Sequence, residues 1–214
     1  MGLISLRTAN QLYWLGRYVQ RALDLLHRLY ETHGNETAPV GLRFEEFCEC
    51  LGIESEFANR DAFLQSLFFE KENSYSILFS LTTAYENAVF LRNTIGHEGF
   101  AYLRLAFNTL ESLRVVNFYD VKPVIDYLYA FWGSLDECAD RRVRAMVRWG
   151  KWVEIRDLAG RFEDSDDKLE KAVGQLQENL HVLEVAEHLN VAQALDREGG
   201  IDFTNELFTT IYRP

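Results

Sequence analysis

Hydrophobic residues recur every three or four positions along much of the chain, which is the spacing of helices that pack in a bundle. The first long segment runs from Ser5 or Thr8 to His33, and its apolar seam is Leu12, Leu15, Val19, Ala22, Leu26 and Leu29. A second seam crosses residues 72–95, with Asn73 or Ser74 as the N-cap. The pattern predicts two long core helices.

The remaining segments keep the same period and are separated by short polar breaks such as "HGNETAPVG", "GHEG" and "EDSDD". Pro123 suits the first turn of a helix, and Ser165 followed by two aspartates suits a helix N-terminus. Further helices are therefore predicted over residues 43–51, 60–69, 100–113, 122–139, 140–162 and 166–195. Residues 198–214 form an apolar C-terminal tail, which is expected to dock on the body or on a partner.

The fold class follows from these segments together with the composition. Strand-like alternation of useful length is missing, and glycine (13) and proline (3) are scarce among 214 residues. A Pro/Gly/Ser-rich linker that would divide the chain is also missing. We predict an all-α fold in one domain, residues 1–214, built as a single bundle of about seven or eight helices.

The charge and the cysteines narrow the functional class. A net charge of -11 disfavours nucleic acid and anionic membrane surfaces as partners. The apolar runs are too short to span a bilayer, and the N-terminus lacks the apolar core of a signal peptide. The chain has three cysteines, Cys48, Cys50 and Cys138. An odd number favours packing roles in a reducing, cytoplasmic compartment over a set of disulfides.

Known cofactor and metal motifs are not apparent in the sequence. The isolated "GG" at 199 is not a phosphate-binding loop. His181 and Glu184 have helical spacing, but their order is the reverse of the Glu-x-x-His pattern of di-metal bundles, and a second copy is missing. We therefore expect neither a cofactor nor a metal, and a catalytic residue cannot be named from the sequence.

Two related stretches, "LYWLGRYVQR" at 12–21 and "RWGKWVEIR" at 148–156, place charged groups inside otherwise apolar helices. Aligning Gly16 with Gly150 sets Arg17 opposite Lys151, and the following residues match in kind for three further positions. Arg21 then faces Ile155. The match predicts an internal duplication in which a pseudo-twofold relates the two helices. A mid-helix glycine indicates the close approach of another helix or of a ligand.

These stretches define a candidate polar core or anion-binding site, for which two interpretations stay open. In one, Glu86 pairs with Arg17 or Arg21 across a bundle seam, and the charges form an internal network. In the other, the guanidinium groups line a pocket that holds a carboxylate or a phosphate. The candidate residues are Trp14, Arg17, Gln20, Arg21, Glu86, Asn87, Arg92, Lys151, Glu154 and Arg156.

The stretch "LRTANQLYWLGRYVQRA" resembles the opening of the bacterial alpha-E domain family, in which a Glu-Arg pair follows Leu-Tyr-Trp-Leu-Gly-Arg-Tyr. "NSYSILFSLTTAYENAVFLRNTI" is similar to the family's central helix, and "VRWGKWVEIRD" to its second Glu-Arg helix. The chain departs from both pairs. Gln20 replaces the Glu of the first pair, Ile155 replaces the Arg of the second, and Tyr85 replaces the Arg of Arg-Glu-Asn.

The resemblance implies a role in making, modifying or degrading a peptide, because genes of this family tend to lie beside particular neighbours. These encode ATP-grasp-like, transglutaminase-like and proteasome-like proteins, so a protein partner from these classes is expected. The incomplete Glu-Arg pairs favour a non-catalytic partner or adaptor. The alternatives are an enzyme of peptide-ligation or amide-transfer type, and a module that binds an anion or small molecule in a central Arg/Glu pocket.

Overall fold

A computed structural model describes residues 5–33, 43–138 and 140–183, and in these ranges the chain is all helix with no strand. The prediction of an all-α bundle is confirmed, with seven helices in the described ranges. They are α1 Leu6–His33, α2 Phe44–Leu51, α3 Arg60–Phe69, α4 Ile77–Ser112, α5 Phe118–Asp136, α6 Arg141–Arg161 and α7 Asp166–Val182.

Helix α1 lies at the centre of the bundle and packs against α6, α4 and α5. Its predicted seam is confirmed, because those six side chains are all buried. Helix α5 packs on α4, and α7 packs on α6. The buried apolar side chains of the seven helices form one continuous cluster, so α1 and α6 are held in place along their whole contact.

Several helix starts are set by side-chain caps. Asn59 accepts a hydrogen bond from the backbone N–H of Ala62 at the start of α3, and Asp140 accepts from the first turn of α6. Helix α4 begins later than predicted. Its N-cap is Ser76, whose hydroxyl accepts from Phe79 N, whereas Asn73 accepts from Tyr75 N and closes a turn before the helix.

The predicted break at "GHEG" is a kink, and the helix resumes without a loop. Gly96 has φ 85° and ψ 162°, a conformation that glycine tolerates and other residues avoid, and helical geometry continues on both sides of it. The two predicted helices, 72–95 and 100–113, therefore run together as α4. Tyr85 stacks on Phe107 across the kink, with ring centres 5.1 Å apart.

The predicted start of α5 was wrong. Asn117 caps the helix by accepting a hydrogen bond from Tyr119 N, so α5 begins at Phe118 and Pro123 falls in its second turn. The reason is that Phe118 packs on Phe68 of α3, which extends the helix back toward that neighbour. Because Pro123 lacks an N–H and lies beyond the first turn, α5 forgoes the intrahelical hydrogen bond that this position would otherwise donate.

Three sequence predictions concern the ends of the chain and its cysteines. The tail 198–214, and the part of the predicted 166–195 helix beyond residue 183, lie outside the described residues. Within the described ranges, every helix is too short or too polar to cross a membrane. Cys48, Cys50 and Cys138 are free thiols, and Cys48 is buried in the core, as expected for a packing residue.

Candidate functional site

The site is built where α1 and α6 cross at two glycines. A Cβ atom added to Gly16 would lie 2.0 Å from the carbonyl oxygen of Val147, and one added to Gly150 would lie 2.0 Å from the carbonyl oxygen of Tyr13. Neither approach leaves room for a methyl group. The two mid-helix glycines are therefore explained by backbone contact between the helices.

These contacts are reciprocal, as the sequence alignment requires. The Cβ added to Gly16 would also lie 3.1 Å from Lys151 N, and the one added to Gly150 would lie 3.0 Å from Arg17 N. Because Arg17 and Lys151 are aligned partners, each helix makes the same contact with the other. The predicted pseudo-twofold between the two stretches is thus present in the local geometry of the crossing.

Glu154 lies one turn beyond the crossing and pairs with both arginines of α1. Its Oε2 accepts from Arg17 Nε at 2.6 Å, and its Oε1 accepts from Arg21 Nε at 2.6 Å. Arg21 Nη2 adds a second bond to Oε2 at 3.1 Å. Arg17 and Glu154 of this Arg-Glu-Arg triad are buried, at 4% and 1% exposed, and the side chain of Arg21 is 14% exposed.

In the triad, burial and charge pairing shift the pKa values in opposite directions. Burial alone would raise the pKa of Glu154, but the guanidinium groups of Arg17 and Arg21 outweigh it and hold that pKa below its ordinary value. Burial likewise opposes the charged form of Arg17, but Glu154, Tyr13 and Asp157 together outweigh it, so the Arg17 pKa is raised. All three groups are therefore charged at neutral pH, and together they carry one positive charge.

All three nitrogens of the Arg17 guanidinium donate hydrogen bonds to protein groups. Besides Glu154, it donates from Nη1 to the Tyr13 hydroxyl at 3.1 Å and from Nη2 to Asp157. Its guanidinium carbon lies 5.7 Å from the centre of the Trp14 ring. Every nitrogen of this side chain thus has a protein partner, which fixes its position at the base of the site.

A cleft of about 680 Å³ lies over the two arginines. Helices α1, α6 and α7 and the turn before α4 supply its walls. Four guanidinium groups face one lining carboxylate, Asp157, with Glu154 beneath, so the cleft is positive in a chain whose net charge is -11. The lining residues are Trp14, Arg17, Tyr18, Arg21, Tyr75, Arg156, Asp157, Gly160, Arg161 and Leu169.

The predicted pairing of Glu86 with Arg17 or Arg21 was wrong. Glu86 is exposed on α4, and Glu154 of α6 occupies the position beside both arginines. Arg92 is exposed as well, and neither Arg92 nor Asn87 lines the cleft. The reason is that α1 meets α6 through glycines at this level, and this close crossing places Glu154 beside both arginines.

Gln20 and Lys151, two other predicted residues, lie beside the triad and outside the cleft lining. Gln20 is 4% exposed and donates from Nε2 to Asp24 Oδ1 at 3.0 Å. The Lys151 ammonium lies 4.4 Å from the centre of the Trp132 ring and 5.7 Å from that of Trp152. Burial is the main reason that the pKa of Lys151 is lowered.

The sequence analysis missed six residues of the cleft lining, and four of these carry polar groups on their side chains. Asp157 follows Glu154 by three positions and could have been found from that helical spacing. Tyr18 lies inside the first stretch and was treated only as an aligned position. Tyr75 and Arg161 carry no local signal, because only the packing of other elements on α1 and α6 brings them to the cleft.

A metal centre is not formed by these groups. Among the residues that the structure describes, no three His, Cys, Asp or Glu side chains converge closely enough to hold an ion. The groups available in the cleft are guanidinium, phenol, indole and one carboxylate. Their chemistry is suited to binding an oxyanion on an aromatic or apolar body.

Comparison with known proteins gives one match. Residues 4–191 match the model of a family, Alpha-E, described as a predicted alpha-helical domain with a conserved ER motif. Neither a curated protein nor a solved structure matches the chain. At the two positions where the sequence resembles a Glu-Arg pair, this chain keeps Arg21 from one and Glu154 from the other, and these two retained residues bind each other across the helix crossing.

Proposed function

The chain belongs to the Alpha-E family, and on that premise we propose that it is a non-catalytic helical partner that recognises an anionic group in the α1/α6 cleft. Its setting would be a bacterial peptide synthesis or modification system that contains ATP-grasp-like and transglutaminase-like proteins. The family resemblance supports this setting, since such genes tend to neighbour those of the family. The proposed ligand is an acidic group presented by the partner or by its peptide.

The observation that carries the proposal is the contrast between the cleft and the rest of the chain. Four arginines converge on one concavity of about 680 Å³, although acidic residues outnumber basic ones by 33 to 22 overall. A buried carboxylate, Glu154, fixes two of these arginines in place. Guanidinium groups that are held in position before a ligand arrives lose little side-chain freedom on binding it.

An enzyme of peptide-ligation or amide-transfer type is the alternative use of the same cleft. It would need a group able to accept a proton or attack a carbonyl. The carboxylate of Asp157 lines the cleft, but it is already bound to Arg17. Binding groups thus dominate the described lining, and for this reason the adaptor role is preferred over catalysis.

The test is affinity purification of the tagged chain from its native host, followed by identification of the proteins that accompany it. We expect a ligase-, transglutaminase- or protease-like protein with the wild type. The variant Arg156→Glu should lose it, because that change reverses one charge of the cleft and leaves the buried triad intact. The matched control is Arg104→Glu, which alters an exposed arginine on α4 outside the cleft lining.

Three results would contradict the proposal. Recovery of the same partner with wild type and with both variants would place the contact outside the cleft. Recovery of no protein from these three classes would remove the proposed setting. Turnover of a peptide or amide substrate by the purified chain, abolished by Asp157→Asn, would establish the enzyme in place of the adaptor.

A further inference from the structure

Arg21 differs from Arg17 in the part of its guanidinium that the protein uses. Glu154 binds Arg21 through Nε and Nη2, which form one edge of the planar fork. Nη1 makes no hydrogen bond with any described residue, and Nη2 uses one of its two N–H groups. The edge formed by Nη1 and Nη2 is therefore open. Arg21 lines the cleft and its side chain is 14% exposed, so this edge is accessible from the cleft.

The open edge is held in a fixed direction. Glu154 aligns the guanidinium plane through two bonds, and the guanidinium carbon lies 5.4 Å from the ring centres of both Tyr18 and Tyr75. The Trp14 ring stacks on Tyr18, with centres 5.6 Å apart and planes 29° apart, which supports that wall in turn. A planar fork aligned in this way suits bidentate binding of a carboxylate or a phosphate.

We infer that Arg21 is the residue that binds ligand in this cleft, through two parallel hydrogen bonds from Nη1 and Nη2 to an oxyanion that carries an aromatic or apolar body. Trp14, Tyr18, Tyr75 and Leu169 supply the surface for that body. Arg17 is a positioning residue, because all its nitrogens already bind protein groups. The inference rests on the proposed binding role of the cleft and names the chemistry of its ligand.

Four small probes test it with the purified full chain. Acetate and benzoate share a carboxylate, whereas inorganic phosphate and phenyl phosphate share a phosphate, and only the second member of each pair has a ring. We expect saturable binding of benzoate or phenyl phosphate by calorimetry, tighter than that of the partner without a ring. The pair of probes that binds more tightly identifies the oxyanion as a carboxylate or a phosphate.

The variant Arg21→Lys keeps the charge and the contact with Glu154 but loses the fork. Its affinity for the bound probe should fall by about tenfold or more, because a lysine cannot make the bidentate contact. The matched control Arg104→Lys changes an exposed arginine outside the cleft lining and should bind like wild type. Far-UV circular dichroism and thermal melting establish that each variant is folded.

A second readout needs no variant. In the ¹⁵N-labelled wild type, the probe should shift the Nη signals of Arg21 and leave its Nε signal nearly unchanged, since Glu154 already occupies Nε. Failure of all four probes to bind, equal affinity of Arg21→Lys and wild type, or a shift of Nε alone would overturn the inference. A partner recovered by affinity purification alongside such a failure would leave the adaptor role standing and remove only Arg21 as the ligand contact.

Discussion

The ion pairs of α1 show why two arginines lie in the middle of an apolar helix. Each is matched by Glu154, and Arg17 is further bound by Tyr13 and Asp157. A buried charge is tolerated only when its partner is present, so the three side chains act as one unit. Glu154 and Asp157 together match the two arginines in charge, and the edge of Arg21 formed by Nη1 and Nη2 stays open to the cleft.

Replacing Glu154 by Gln should therefore destabilise the fold more than the loss of a surface charge. The buried Arg17 and the partly buried Arg21 would lose their shared carboxylate, at a cost of about 3–5 kcal/mol. Urea unfolding measures the difference, with Glu98→Gln on the exposed side of α4 as the control. A loss below about 1 kcal/mol, the range of exposed ion pairs, would show that the triad is solvated.

The pH dependence of this pair has a defined sign. The pKa of Glu154 is lowered in the folded chain, so its contribution to stability is present above the ordinary value of 4.5 and is lost as the pH falls through the lowered folded value. Acid unfolding of the wild type should thus be steeper below pH 4.5 than that of Glu154→Gln.

The pKa of Asp24 is shifted in the opposite direction to that of Glu154, because the surroundings of Asp24 favour the neutral acid. Gln20 Nε2 donates to Asp24 Oδ1 at 3.0 Å, while Gln20 Oε1 and Asp24 Oδ2 are buried and lack a partner among the described residues. A proton on Oδ2, donated to Oε1, would satisfy both atoms in a closed ring. Burial raises the pKa of Asp24 despite the opposing charges of Lys168 and Arg28.

The measurement is unfolding free energy against pH for wild type and Asp24→Asn. Because the folded pKa is raised above 3.8, this contribution to wild-type stability is full below that value and is lost as the pH rises through the folded pKa. Asparagine can donate to Gln20 at every pH, so the variant should lack this loss and gain on the order of 1 kcal/mol at high pH. A difference between the two proteins that is the same at all pH values would instead mean that folding does not shift the pKa of Asp24.

At the scale of the element, the contact between α1 and α6 depends on two residues without side chains. Each glycine admits the carbonyl of the other helix where a methyl group would overlap it. This contact brings Glu154 within reach of Arg17 and Arg21, which the sequence places far from it. The α4 kink at Gly96 and the cap at Ser76 are local by comparison and affect only their own helix.

Substituting Gly16 by Ala should destabilise the chain by about 1–3 kcal/mol, because overpacking at the crossing outweighs the better helix propensity of alanine. Gly174→Ala on α7 is the matched control, since no atom of another described element lies within 4 Å of the added Cβ. That variant should be neutral or more stable by up to about 1 kcal/mol. Thermal melting compares the two, and equal melting temperatures would refute the close contact.

At the scale of the whole molecule, one buried cluster joins all seven described helices. A core that is continuous in this way favours a single cooperative transition. Trp14, Trp132, Trp149 and Trp152 lie on three helices and report on tertiary packing. We expect urea curves from tryptophan fluorescence and from far-UV circular dichroism to coincide. Two separated midpoints would contradict the one-domain organisation predicted for residues 1–214.

The sequence by itself determined the helices and their buried faces, because both depend on local spacing. The seam of α1, the bounds of α2 and α3, and the start of α6 near residue 140 could all be predicted from residues a few positions apart. The alignment of Gly16 with Gly150 also predicted the local symmetry of the crossing. The resemblance that named the family rests on the same short stretches.

Only the tertiary structure decided which carboxylate binds the arginines. Glu86 and Glu154 are both carboxylates in the middle of long helices, so the spacing of charged residues did not distinguish them. The close approach of the α1 and α6 backbones places Glu154 beside the arginines and leaves Glu86 exposed. That distance depends on packing between segments remote in sequence, which local spacing does not encode. The same reason applies to Tyr75 and Arg161, which reach the cleft because separate elements close around Arg21.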